Sequence, residues 1–109
     1  MSALSEFDRW RIWDRANPDF YAMWKLYAEE AVSHGKTQIG SWLIANRIRW
    51  DTDVLTTGAG FKVPNGFIAY FARLWLVEHP HLPALFKTRN LKTSIPKEAF
   101  EQHLLDRNA

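Results

Sequence analysis

The stretch FIAYFARLWLV, Phe67 to Val77, decides the fold. Arg73 is its single charge. On a helical projection Phe67, Phe71 and Leu74 form one stripe, Ile68, Ala72 and Trp75 the next, and Leu76 and Val77 lie behind. A helix apolar on every side is a buried one. It is far short of the roughly 20 residues needed to cross a bilayer, so its surroundings are protein. The rest of the chain is therefore expected to wrap around it as one small, mainly α domain spanning residues 1–109. Arg73 must reach water or find a carboxylate, with Glu29, Glu30 or Asp51 as expected partners.

Upstream of this stretch, a first helix is expected from about Leu4 to Arg15. Ser2 or Ser5 can cap it, Glu6 and Asp8 sit in its first turn, and Phe7, Trp10 and Trp13 recur along it. Asn17-Pro18 opens a second helix, about Pro18 to His34, with Phe20, Trp24, Tyr27, Ala28 and Ala31 on one face. Gly35 suits its C-terminal stop. Thr37 can cap a third helix, about Gln38 to Trp50, with Ile39, Leu43, Ile44 and Ile48 as apolar positions extended by Trp42 and Ala45.

Val54-Leu55-Thr56-Thr57 and Phe61-Lys62-Val63 flank Gly58-Ala59-Gly60 and read as a short β-hairpin. Asn65 is the expected cap of the central helix, and Pro80 ends it near His79. Leu85 and Phe86 read as a helical turn. A last helix is expected from about Pro96 to Asp106, with Phe100, Leu104 and Leu105 inward and a fraying Arg107-Asn108-Ala109 tail. A helix pair followed by a hairpin is compatible with a winged helix-turn-helix.

Composition narrows the function classes. The chain has no cysteine, which excludes disulfide and thiolate chemistry. MSALSEFDRW has no basic segment leading into an apolar run, so a cytoplasmic protein without a secretory signal is expected. No H-E-x-x-H, nucleophile elbow or Gly-rich phosphate loop occurs, and a non-enzymatic protein without a cofactor is expected. Asp51 and Asp53 read as a helix terminus. The His79-Pro80-His81 pair reads as a helix end, with no metal site.

Charge is uneven. Residues 36–92 hold eight basic and three acidic side chains, whereas 1–35 hold four and six. Such a middle can face phosphates, and it can equally be a solvated surface. Ala31 and Gly35 have the small-residue-to-glycine spacing of a helix-turn-helix. Lys36 and Ser41, however, stand where that motif prefers apolar residues. DNA is the first partner this suggests. The third helix would offer Asn46 and Arg47 to base edges and Arg49 to a phosphate, with Lys36, Lys62, Lys87, Arg89 and Lys92 as further phosphate contacts. The surplus of aromatics, six Trp among them, suggests the second partner, a protein. A homodimer through Trp10, Trp13 or Trp42 is also compatible with the pattern.

Phe7, Asn17-Pro18, the IRW triplet at 48–50, Phe61-Lys62-Val63, the YFAR run at 70–73, Pro80 and the FKTR run at 86–89 follow one another in an order that resembles a family of small uncharacterised proteins of bacteriophages and prophages. The likeness spans most of residues 7–89. It departs at YFAR, where family members carry Y-A-R. The resemblance implies a phage setting, in which small proteins bind nucleic acid or bind and block a host protein. It carries over no catalytic or binding residue.

Overall fold

The computed structural model describes residues 4–55, 60–88 and 94–108. They form five helices: α1 Glu6–Ala16, α2 Pro18–Ser33, α3 Ser41–Asp53, α4 Phe67–Glu78 and α5 Lys97–Arg107. As its composition requires, α4 is the central element. It packs against each of the other four helices, and Phe67, Ile68, Tyr70, Phe71, Ala72, Leu74 and Trp75 are all buried. Phe71 is the hub. Its ring lies 4.8–6.0 Å from those of Trp10, Trp13, Phe20, Tyr21 and Trp24, which ties α1 and α2 to α4. Such pairs add about 0.5–1.5 kcal/mol each beyond the area they bury. Arg73 is half-buried beside Leu76, Val77, Ile95 and Phe100 on the α5 side.

Local signals set the ends of the first two helices. The Ser5 side chain accepts from the Asp8 N–H at 3.1 Å, with Glu6 and Asp8 in the first turn of α1. Pro18 starts α2, where its missing N–H costs nothing. At the other end Gly35 takes φ +84°, its N–H donates to the Val32 carbonyl, and the Lys36 N–H donates to Ala31. This paired closure is a Schellman motif, so Gly35 serves as a helix stop.

Elsewhere the structure corrects the reading. α3 begins at Ser41, with Gly40 before it, because Ile39 is drawn into extended pairing. The Ile39 N–H donates to the Leu85 carbonyl at 2.8 Å, and Ile39 forms a parallel bridge with Phe86. Leu85 and Phe86 are therefore extended and buried, not helical. Among the described residues there is no hairpin. Val54 and Leu55 complete the end of α3, and Thr56 and Thr57 lie outside the described residues. Phe61 and Val63 pack onto the helices, and the Val63 carbonyl accepts from Arg49 in place of a partner strand. Gly66 stands at the cap of α4, one residue after Asn65, without a side-chain bond.

The last helix also differs. Leu105 is 67% exposed, and the buried pair is Phe100 and His103. Arg107 does not fray. It donates to the Asp14 carboxylate from Nε at 2.8 Å and from a terminal nitrogen at 3.3 Å. Asp14 and His103 are both fully buried, and His103 Nε2 lies 2.7 Å from Asp14 Oδ2. Burial pushes the Asp14 carboxyl up, but the hydrogen bonds from His103 and Arg107 outweigh it and hold it below its ordinary value. The Arg107 guanidinium also lies over the Tyr21 ring, and the Tyr21 hydroxyl donates to Glu78 at 3.0 Å. Burial, and after it the Glu78 charge, push the Tyr21 phenol far above its usual range. A single ionic cluster therefore joins α1, α2, α4 and α5.

Candidate interaction face

α3 is apolar on two opposite sides. Ile44, Ala45 and Ile48 point inward and are buried against the core. On the outward side Trp42 is 42% exposed, Leu43 64% and Trp50 58%, and Val54 and Leu55 extend the patch past the helix end. The other large exposed hydrophobics, Leu4, Ile12, Leu26 and Leu105, lie on other helices or before α1. Positions four apart on a helix form one ridge, so Trp42, Asn46, Trp50 and Val54 run in line along the outer side. Asn46 is exposed between the two tryptophans.

The two arginines border this ridge instead of forming one basic surface. Two residues apart on a helix of 3.6 residues per turn, they project about 200° from each other. Arg49 lies 5.3 Å over the Trp42 ring and donates to the Val63 carbonyl at 3.3 Å. Arg47 lies 4.6 Å over the Tyr27 ring, and its Nε is 3.5 Å from Asp51, which also accepts from the Tyr27 hydroxyl. That hydrogen bond, with a smaller contribution from burial, raises the Tyr27 phenol above its ordinary value. Each guanidinium is thus held by a ring and an oxygen, and each covers one flank of the ridge.

The remaining sequence-predicted cations divide along the same lines. Lys36 is exposed in the connection between α2 and α3. With Arg47 and His34 it lines a groove of about 360 Å³ whose apolar wall includes Ala31, Ile39 and Ile44. Lys62 is exposed next to Val63, on the Arg49 side. Lys87 is exposed after the buried Leu85-Phe86 pair. Arg89 and Lys92 lie outside the described residues.

Of the three tryptophans considered for self-association, Trp10 is completely buried. Trp13 packs edge-on against Phe20 and Phe71. Trp42 remains open. Trp50 and Leu43 are the members of the face that sequence reasoning misses, because the apolar spacing assigns Leu43 to the inner side. A signal is present all the same: apolar residues on two opposed stripes of one helix cannot all reach one core.

Two further observations bound the chemistry. His79 stacks on Trp75 at 3.6 Å with its Nδ1 3.0 Å from the Trp75 carbonyl, so its ring is held at the end of α4. Among the described residues no group of three or more His, Asp or Glu is arranged to hold a metal ion, and no helix is long and apolar enough to cross a membrane.

These features define an all-helical domain, over the described residues, with an open aromatic ridge on one helix. No family model matches the chain, and neither a curated protein nor a solved structure matches it.

Proposed function

We propose that this protein is a non-enzymatic protein-binding module that docks through the outer side of α3. One observation carries the reading: Trp42 and Trp50 stand open on one helix, bordered by Arg47 and Arg49, while most of the other aromatic side chains are buried. Tryptophan and arginine are the residue types that most often dominate binding energy when a partner excludes water from them. Holding them on a helix lowers the ordering cost of association. In a phage or prophage setting, such a module acts by occupying a host defence or replication protein. The test is capture by immobilised chain in the presence of nuclease. A stoichiometric protein partner should be retained by the wild type and by Leu105→Ala. It should be lost with the double change Trp42→Ala, Trp50→Ala. Equal capture by all three ends the reading.

DNA binding is the second reading. It is favoured by exposed Lys36, Asn46, Arg47 and Lys62 around the same helix. Two features count against a helix-turn-helix form of it. Residues 34–40 separate α2 from α3, where that motif uses a turn of three or four residues. Tryptophan and leucine, with Asn46 between them, occupy most of the outward side of α3, where base reading calls for polar side chains. A titration at two salt concentrations separates the readings, since phosphate contacts require affinity to fall steeply as salt rises.

A further inference from the structure

We infer that the α3 ridge docks a second copy of this chain, as an antiparallel pair with its two-fold axis at Asn46. The inference rests on the protein-binding reading and names the partner. The three central positions of the ridge are the same read from either end: Trp42 lies four residues before Asn46, and Trp50 four residues after it. A two-fold contact pairs residue i with j and j with i. With the axis at Asn46, Trp42 of one copy faces Trp50 of the second copy, and Trp50 faces Trp42.

The polar residue at the centre suits this arrangement. Asn46 meets itself, and a carboxamide both donates and accepts, so two of them can satisfy each other across the axis. A lone polar side chain in an otherwise apolar seam fixes register. The charges are compatible too. Arg47 is paired with Asp51 and Arg49 is held over Trp42, both at the borders of the ridge, so each guanidinium brings a partner of its own to the contact.

The area sets the strength. From their fractional exposures, Trp42, Leu43, Trp50, Val54 and Leu55 offer on the order of 600 Å² of side-chain surface, against the roughly 800 Å² per partner of a standard interface. The dimer is therefore expected to be weak and dependent on concentration.

Sedimentation of the full chain, from low micromolar to millimolar, should show monomer passing to dimer. Asn46→Asp sets two like charges against each other on the axis, at a position that is exposed in the monomer. It should weaken the dimer about tenfold or more, because like charges brought together at an interface repel strongly. The absence of cysteine gives an independent check. Asn46→Cys should cross-link two copies rapidly under mild oxidation, because packed helices bring residues at a crossing point within disulfide reach. Glu101→Cys, exposed on α5, should not. A chain that stays monomeric throughout overturns the inference, as does a dimer in which Asn46→Cys cross-links no faster than Glu101→Cys. If that monomer still loses a nuclease-resistant partner on Trp42→Ala, Trp50→Ala, only the choice of partner has failed. If it loses nothing, the docking role of α3 has failed with it.

Discussion

The seam between α1 and α5 and the outer side of α3 use the same residue types to opposite ends. In the seam Trp10 is sealed, and Asp14 is shared by His103 and Arg107 with no exposure. On α3, Asp51 is shared by Tyr27 and Arg47, but the arginine side chain is 54% exposed and two tryptophans lie open beside it. The difference is one of layers. α1 and α5 meet across polar and aromatic side chains that have already left water. α3 is the outer layer, with its inner side on α2 and α4 and its outer side covered by none of the described residues. Aromatic content therefore does not separate core from interface in this chain. What separates them is whether a second helix is available to cover the side in question.

The comparison breaks first at the core. Phe71→Ala should be the most damaging substitution, since the ring is completely buried and holds the aromatic side chains of α1 and α2 onto α4. The expected loss is about 3–5 kcal/mol, a large share of the stability of a domain this size. Urea denaturation followed by far-UV circular dichroism measures it. A loss under about 1 kcal/mol would mean that α4 is not central.

Asp14→Asn is next. Removing one member of a buried ionic set leaves the Arg107 charge uncompensated and costs on the order of 3 kcal/mol. The pH dependence carries a definite sign. The Asp14 carboxyl lies below its ordinary value of 3.8 in the folded protein, so its contribution is fully present above about that pH. It is lost as pH falls through the lower folded value. The stability gap between wild type and Asp14→Asn should thus be constant near neutrality and close in acid. A gap that widens on acidification would show that the cluster does not hold Asp14 ionised.

How far the sequence reveals this architecture depends on the range of the interaction involved. α4 is legible because every side of it is apolar, and α2 because Pro18 and Gly35 act within a turn of the residues they bound. The start of α3 is not, because Thr37 and Gln38 look like a cap and first turn while their neighbour Ile39 pairs with Phe86, far along the chain. His103 is hidden for the same reason. A histidine on the inner side of a helix reads as polar until Asp14, at the other end of the sequence, supplies its hydrogen bond. The candidate cations are visible one by one, but their division to the two borders of α3 follows from a helix phase that only the packing of Ile44 and Ile48 fixes.

The smallest stability effect should come from the most conspicuous side chains. Trp42→Ala with Trp50→Ala removes two indoles that are about half in water, so only part of their surface leaves a buried environment and no core cavity opens. The Arg49 stacking on Trp42 is given up, an interaction worth about 0.5–1 kcal/mol at an exposed site. The unfolding free energy should therefore fall by about 1–2 kcal/mol, less than the Phe71→Ala loss. Denaturation of the double variant at a concentration too low for self-association isolates this number. A drop of about 3 kcal/mol there, the scale of a core truncation, would place the two indoles with the core, and α3 would lose its claim to be a docking surface. A small drop with association abolished is the combination expected of an interface, because the cost of exposing these rings is then borne by the free monomer and recovered only when a partner covers them.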